Sequence, residues 1–230
     1  MHTISVAVRH VTKATPRTRI ISLDLTTTSF PFNAGQAVMI GLHDSALRKP
    51  YSIASAPWEV EKSGVMQVLV QIEDSGGLDP HLELAEPGTR LDVAGPFGTF
   101  VMPTDGDPLM FVAGGTGIAP LRSIMMARLA RPSAPPMVLV YSVRSPDEFA
   151  FRAELEALQI AKRIDMHFTV TRDEKWTGRR GRIDQELLKD ALPSAGAHCL
   201  VCGPPQLVSD ATALLRALGV DASRIQIEHY

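Results

Sequence analysis

A glycine-rich turn near the middle of the chain has the residue types that can hold a phosphate group. Gly114, Gly115, Thr116 and Gly117 follow an apolar run and open a stretch with helical spacing. Glycine permits a tight turn and a close approach to a phosphate, and a helix that starts there adds N–H groups and a positive dipole end. Pro120 stands where a third fingerprint glycine would be, and proline is tolerated in a first helical turn. The pattern predicts a dinucleotide pyrophosphate site, although a turn without a ligand would have the same sequence.

A second segment, residues 49–55 (KPYSIAS), combines a cation, an aromatic ring and hydroxyl groups. Tyr51 could stack on a flat ring, the Ser52 hydroxyl could bond to a ring nitrogen, and Lys49 could meet a phosphate. These are the contacts that a flavin needs. An ordinary amphipathic strand would carry the same residues, so the segment alone leaves both interpretations open.

The pattern of the surrounding elements changes at about residue 100. Before it, short β-branched runs between turn residues predict an all-β barrel or sandwich, with one short helix at about residues 80–85. After it, apolar strands alternate with helical segments, which predicts a parallel, doubly wound sheet. We therefore predict two domains, an antiparallel β-barrel over residues 1–100 and an α/β domain over residues 106–230. The predicted strands cover residues 4–11, 19–25, 36–42, 65–72, 90–93, 109–113, 137–143, 165–171, 200–202 and 224–228. The predicted helices of the second half are the stretch from the glycine turn to residue 130, residues 146–158, and a proline-started helix that ends at residue 218.

The composition argues against several classes of partner and site. The chain has 230 residues, 45% hydrophobic and 21% charged, with a net charge of −2, so nothing in its charge predicts nucleic-acid or membrane binding. Its apolar runs are shorter than the roughly 20 residues of a membrane span, and its start has no signal-peptide pattern, so we expect a cytoplasmic location. Two cysteines cannot supply the four ligands of a [2Fe–2S] centre, and the seven histidines are not spaced as zinc ligands. We therefore expect no metal site.

Five motifs, in order, resemble the ferredoxin–NADP reductase superfamily. They are Tyr51-Ser52 after a cation, GPFG at residues 95–98, the glycine turn through Pro120, Cys202-Gly203-Pro204, and the final Glu228-His229-Tyr230. The resemblance covers nearly the whole chain. It implies an antiparallel FAD barrel followed by a five-stranded parallel nucleotide domain.

The resemblance also implies a role for each matching position. Tyr51 would stack on the isoalloxazine, Ser52 would bond near flavin N5, and Tyr230 would cover the other flavin face until the nicotinamide displaces it. Ser52, Cys202 and Glu228 would form the catalytic constellation, with Cys202 against the nicotinamide. The implied FAD contacts are Arg48, Lys49, Pro50, Tyr51, Ser52, Ser55, Gly76, Gly77, Leu78 and Tyr230, and the implied NAD(P) contacts are Gly114, Gly115, Thr116, Gly117, Pro120, Arg144, Arg172, Cys202, Gly203 and Pro204.

Two positions depart from the family pattern. Lys49 stands where the family usually has arginine, and Asp79 stands where it usually has serine or threonine. Arginine binds phosphate through two bonds, whereas lysine acts as a point charge. We expect Lys49 to meet the FAD phosphate, with neighbouring Arg48 as the alternative. We expect Asp79 to point away from the pyrophosphate and cap a helix.

Arg144 and Arg172 end the second and third predicted α/β strands, where a ribose 2′-phosphate could be met. This placement favours NADPH, although Asp147 and Glu148 nearby leave NADH possible.

The resemblance implies a reductase that transfers hydride from NADPH or NADH to FAD N5. It would then pass electrons to a one-electron carrier such as ferredoxin, flavodoxin or an oxygenase component. The alternatives are an electron-transfer subunit of a larger redox complex or oxygenase, a free-flavin reductase, and a nucleotide sensor. The basic loop at residues 172–182 could steer an acidic partner or could be a solvated loop.

Overall fold

The structure is a computed structural model that describes residues 2–72, 82, 85–131 and 135–229. The chain divides into two compact units. The first, called here the barrel unit, comprises Met1–Met102 and Arg122–Arg128, and the second, the parallel-sheet unit, comprises Pro103–Leu121 and Leu129–Tyr230. Each unit has its own sheet and its own hydrophobic core.

The barrel unit is an antiparallel sheet whose two ends meet. Its strands pair in the order β4-β3-β6-β1-β2-β5, and a bridge between Ile53 and Val68 joins the end strands. Along β1, Ile4, Val6 and Val8 are buried at every second position, as a strand with one inward face requires. The elements are β1 (His2–Thr15), β2 (Thr18–Asp24), β3 (Ala37–Leu42), β4 (Lys49–Ser52), α1 (Pro57–Ser63), β5 (Val65–Gln71) and β6 (Arg90–Phe97).

The second unit is a parallel sheet in the order β10-β9-β8-β7-β11-β12. Strands β7 and β8 are buried along their whole length, as expected when helices cover both faces of a parallel sheet. The two-residue β10 is added at the edge of the five longer strands. The strands are β7 (Leu109–Gly114), β8 (Met137–Val143), β9 (Asp165–Val170), β10 (Arg179–Arg180), β11 (His198–Gly203) and β12 (Ile225–His229), and the helices are α2 (Ile118–Leu129), α3 (Arg152–Ile160), α4 (Gln185–Ala191) and α5 (Pro205–Ala217).

These two sheets confirm the predicted fold of an antiparallel barrel followed by a parallel sheet. The prediction of one continuous helix over residues 146–158 is wrong. A 3-10 turn at Pro146–Glu148 is followed by extended Phe149 and by Phe151 in the left-handed region at φ 58°, and α3 begins only after them. Phe149 leaves the helical path because its ring packs edge-on against Tyr141 and Phe168, with centroids 5.1 Å and 4.8 Å away.

Helices α1 and α4 are additional to the predicted elements. The helix predicted at about residues 80–85 lies almost wholly outside the described residues. Among the described residues, no helix is both long enough and apolar enough to cross a membrane.

Candidate functional site

The glycine turn connects β7 to α2, as its sequence predicts. Gly114 ends β7, a 3-10 turn covers Gly115–Gly117, and Gly115 has a φ of 53°, in the left-handed region that suits glycine. Among the described residues, no side chain caps this turn, and neither the turn nor the first turn of α2 contains an acidic residue. The turn therefore presents the amide-rich start of a helix with no competing anion, which fits a pyrophosphate.

The glycines of this turn also pack against the Cys202-Gly203-Pro204 segment. A Cβ atom on Gly117 would collide with the carbonyl oxygen of Cys202 and lie 2.5 Å from its carbonyl carbon. A Cβ atom on Gly114 would lie 2.9 Å from Pro204 Cδ and 2.6 Å from Leu207 Cδ1. Two of the predicted motifs are therefore in direct contact, and glycine is required between them whether or not a phosphate is bound. Pro120 lies buried in the first turn of α2.

Cys202 and Glu228 are neighbours at the carboxyl ends of β11 and β12. They are register partners, and Cys202 Sγ lies 4.0 Å from Glu228 Oε2. Cys202 is only 2% exposed, and burial, together with the Glu228 charge, raises the pKa of its thiol far above the ordinary range. The side chain is therefore a neutral thiol. This end of a parallel sheet is where ligands bind in open α/β folds.

Cys199 has a different environment on the same strand. Burial raises the pKa of its thiol to about 12. Three strand residues span about 10 Å, and a disulfide needs Cα atoms within about 7 Å. Cys199 and Cys202 are both free thiols, and they cannot pair while β11 is intact.

Arg144 and Arg172 lie side by side after neighbouring strands. The Arg172 N–H donates to the Arg144 carbonyl at 2.8 Å, and both side chains are exposed. The acidic residues nearby have local partners, because Asp147 Oδ1 accepts the Ser145 hydroxyl at 2.5 Å and Glu148 Oε2 accepts the Arg144 N–H at 3.2 Å. Both arginines can therefore turn towards an anion at the strand ends.

The segment at residues 49–52 forms β4 of the barrel unit and pairs with β3. Lys49 and Tyr51 share one face of this strand, and Pro50 and Ser52 share the other, because side chains alternate. Tyr51 is half-buried, and part of it packs against the barrel core. A cation and an aromatic ring on one face fit a flavin with its phosphate tail.

Arg48 is bound to the barrel. Its Nη2 donates to Asp92 Oδ2 at 3.3 Å. Its aliphatic stem packs closely over Gly41, because a Cβ atom added to Gly41 would lie only 2.9 Å from Arg48 Cγ. Asp92 is 7% exposed, and hydrogen bonds from Ser5 and then His43 lower the pKa of its carboxyl to about 2. The Arg48 guanidinium thus neutralises a buried carboxylate of the barrel unit.

Ser55 has a structural position. It is 2% exposed, its hydroxyl oxygen accepts the Gln67 N–H at 2.8 Å, and its carbonyl accepts the Ser123 hydroxyl at 2.7 Å. This environment favours a role in holding the segment after β4 against β5 and α2 over a contact with FAD. The remaining predicted FAD contacts, Gly76, Gly77, Leu78 and Tyr230, lie outside the described residues, as does Asp79.

The sequence motifs did not identify two further side chains that make well-defined contacts near the predicted segments. The Tyr141 hydroxyl donates to the Gly115 carbonyl at 2.9 Å, directly within the glycine turn. Arg122 forms a two-bond ion pair with Glu59 next to the end of β4. Tyr141 looks like an ordinary core residue of an apolar strand, and the contact of Arg122 with Glu59 joins residues far apart in sequence, so no local signal marks either.

Asp105, Asp107 and His198 bring three possible metal-ligand atoms within 4.8 Å of one another. Arg224 Nη1 donates to Asp107 Oδ2 at 2.7 Å and lies 3.3 Å from His198 Nε2. Its positive charge occupies the position that a cation would need, and His198 Nε2 bonds to Asp105 Oδ2 at 2.5 Å. We interpret the group as a charge network at the amino ends of the strands.

Comparisons with known proteins match both halves of the chain to known families. Residues 5–102 match the family model of the oxidoreductase FAD-binding domain, and residues 111–213 match that of the oxidoreductase NAD-binding domain. The chain is 34% identical over 214 residues to ferredoxin–NADP reductase B of Sorangium cellulosum, covering 88% of this chain and 86% of that protein.

Other relatives reduce different partners. The chain is 31% identical over 173 residues to NADH-cytochrome b5 reductase 1 of Eremothecium gossypii, covering 71% of this chain and only 60% of that protein. Its structure matches the crystal structure of a cytochrome P450 reductase from Amycolatopsis with a TM-score of 0.87 and 25% identity, over 99% of this chain and 69% of the other.

The glycine turn fits a dinucleotide pyrophosphate, the β4 face fits a flavin, and both family models cover these segments. FAD and NAD(P)H are therefore the cofactors of an NAD(P)H-dependent flavoprotein oxidoreductase. The chain belongs to the ferredoxin–NADP reductase superfamily.

Proposed function

We propose that this protein is an NADPH-dependent reductase that passes electrons from its FAD to a one-electron carrier such as ferredoxin or flavodoxin. The pair of exposed arginines at the ends of β8 and β9 carries the NADPH preference, since the neighbouring acids have local partners. The likeness to the Sorangium ferredoxin–NADP reductase supports the choice of carrier.

The residues of the chain have distinct roles in this proposal. Bound FAD supplies the chemistry, because it takes two electrons at once and can release them singly. Lys49 holds its phosphate, Tyr51 covers its ring and Ser52 donates a hydrogen bond near N5. In the other unit, Cys202 and Glu228 contact and orient the nicotinamide.

A second candidate is an NADH-dependent reductase that serves a cytochrome or an oxygenase. The observation that favours it is the likeness to the NADH-cytochrome b5 reductase of Eremothecium and to the P450 reductase of Amycolatopsis. Rates of reduction of ferredoxin, flavodoxin and cytochrome b5, each measured with NADPH and with NADH, separate the two candidates. Preferential reduction of cytochrome b5 with NADH would overturn the first.

Removing both exposed arginines tests the preference for NADPH. We expect Arg144→Ala combined with Arg172→Ala to lower kcat/KM for NADPH by roughly 10- to 100-fold, because the variant loses two solvent-exposed bonds to a phosphate, each contributing about 1 kcal/mol. The kcat/KM for NADH should change little. Ferricyanide as acceptor makes the measurement independent of the carrier.

Arg180→Ala is the matched control, since Arg180 is an exposed arginine of the neighbouring strand β10 that donates to the Glu174 carbonyl. If the double variant keeps the NADPH-to-NADH ratio of the unaltered protein, the assignment of the 2′-phosphate contacts is wrong.

Deleting the Cys202 thiol should slow flavin reduction while FAD stays bound. We expect Cys202→Ala to reduce the rate at saturating NADPH by about tenfold or more, the effect of a slightly misplaced reactant. The raised pKa keeps the thiol protonated between about pH 6 and pH 9, so the loss should be the same across that range. Anaerobic stopped-flow spectroscopy measures it. An unchanged rate would remove Cys202 from the active site, and a loss confined to high pH would indicate a thiolate.

The two neighbouring cations should affect FAD differently. We expect Lys49→Ala to weaken FAD binding by about tenfold, through loss of a phosphate contact. Arg48→Ala should instead lower stability, because it leaves the buried Asp92 carboxylate without its arginine. Equilibrium dialysis of FAD and urea unfolding distinguish the two effects. Loss of FAD from the Arg48 variant alone would mean that Arg48 is the phosphate contact.

A further inference from the structure

The hydroxyl group of Tyr141 joins two segments that the proposed function places around NADPH. Tyr141 lies in β8 and is 0% exposed. Its hydroxyl donates to the Gly115 carbonyl at 2.9 Å and accepts the Ala150 N–H at 3.2 Å. One buried oxygen therefore bonds to the glycine turn and to the loop that begins at Arg144.

The surrounding rings fix the position of this hydroxyl. The Tyr141 ring packs edge-on against Phe149, with centroids 5.1 Å apart, and at a tilt against Phe168, with centroids 6.4 Å apart. Rings packed in this way have a single position in a close-packed core. The hydroxyl is thus held at a fixed point behind the glycine turn.

Holding the Gly115 carbonyl determines where the next amide points. The carbonyl of Gly115 and the N–H of Thr116 belong to one planar trans peptide group and point in opposite directions. Gly115 has a φ of 53°, and a glycine can adopt either sign of φ at little cost. Without a hydrogen bond to its carbonyl, this peptide could rotate. The bond from Tyr141 keeps the Thr116 N–H pointing away from the core.

We propose that Tyr141 is a positioning residue for dinucleotide binding, which acts by holding the glycine turn in the orientation that receives the pyrophosphate. The proposal rests on the dinucleotide role of the turn, and it does not depend on the choice between NADPH and NADH. Because both nucleotides share the pyrophosphate, loss of the hydroxyl affects both alike. The effect of removing the Tyr141 hydroxyl therefore differs from that of removing the Arg144 side chain, which should weaken the binding of NADPH alone.

Tyr141→Phe in the FAD-loaded protein tests the proposal, because it removes the hydroxyl and keeps the ring. We expect KM to rise by about tenfold for NADPH and for NADH, the loss of roughly one buried hydrogen bond. The rate at saturating nucleotide and the visible spectrum of bound FAD should stay as in the unaltered protein. Ferricyanide reduction gives KM and kcat for each nucleotide.

Thr169→Val is the matched control. Thr169 is also 0% exposed, and its hydroxyl donates to the Gly181 carbonyl at 2.8 Å. Its replacement by valine therefore removes a buried hydroxyl hydrogen bond that does not involve the glycine turn. We expect both variants to lower the melting temperature, Tyr141→Phe the more because its hydroxyl makes two bonds, and only Tyr141→Phe to raise KM. An unchanged KM in Tyr141→Phe, an equal rise in Thr169→Val, or a rise for NADPH alone would each overturn the proposal. If the protein uses only NADH, the proposed function fails, but the NADH measurement still tests Tyr141.

Discussion

Replacing Arg122 with alanine is expected to lower the free energy of unfolding by about 3 kcal/mol, the lower end of the usual cost of breaking a buried ion pair, because the Glu59 side chain is 20% exposed. The Arg122 side chain is 7% exposed, and its two terminal nitrogens donate to the two Glu59 oxygens at 3.0 Å each. Arg122 also donates to the Ala54 carbonyl at 2.8 Å, and Glu59 accepts the Ala56 N–H at 2.7 Å. Alanine leaves the glutamate charge and the Ala54 carbonyl without this partner.

Urea unfolding at a fixed, saturating FAD concentration measures this cost, since bound cofactor itself adds stability. Replacing both partners, as in Glu59→Leu with Arg122→Met, should cost less than the sum of the single changes by roughly 1–3 kcal/mol. Glu156→Ala is the control, because Glu156 pairs with Arg152 at the surface, where both side chains are over 40% exposed, and such pairs contribute less than about 1 kcal/mol. Equal losses from Arg122→Ala and Glu156→Ala would contradict the assigned contribution of the pair.

Adding one methyl group at Gly117 is expected to lower kcat/KM for both nucleotides by about 100-fold or more, the effect of shifting reacting groups by about 1 Å. The new Cβ would collide with the Cys202 carbonyl and lie 2.8 Å from Gly203 N. These are backbone atoms, so β11 and the glycine turn must separate to admit it. The separation would displace the pyrophosphate turn and Cys202 together, while the FAD contacts of the barrel unit remain. Overpacking of this kind also costs about 1–3 kcal/mol of stability.

Gly196→Ala provides the control for Gly117→Ala. At Gly196 the nearest atom to a new Cβ would be Ser194 Oγ at 3.8 Å, an ordinary contact distance. We expect this variant to keep the activity and melting temperature of the unaltered protein. Normal kcat/KM in Gly117→Ala would show that the turn and β11 are not packed as described.

Much of the fold was predictable because its strands carry local patterns. The alternation of Ile4, Val6 and Val8 marks a half-buried strand, and the unbroken apolar run of β8 marks a strand covered on both faces. Helices α1 and α4 were not predicted because each has only seven residues. Their start signals are nevertheless present, with Pro57 at the first turn of α1 and Asp184 capping α4 through the Leu187 N–H.

The site was predictable only as separate motifs. The sequence pattern predicted glycine at position 117 because a phosphate would approach the turn closely. Its contact with the Cys202 carbonyl instead depends on the pairing of β7 with β11, which brings together residues about 85 positions apart. The ion pair of Arg122 with Glu59 likewise joins distant segments, and nothing local distinguishes Arg122 from a solvated helical arginine. The break at Phe149 arises from ring packing with two other strands, which overrides the helical spacing of the segment.

Anaerobic reduction of the purified, FAD-loaded protein by NADPH and by NADH, followed by stopped-flow visible spectroscopy, is the most direct test of the proposed chemistry. We predict a bound-flavin spectrum that bleaches with both nucleotides and faster with NADPH. Faster bleaching with NADH would contradict the roles of Arg144 and Arg172. A protein that takes up FAD but is bleached by neither nucleotide would contradict the proposed reductase.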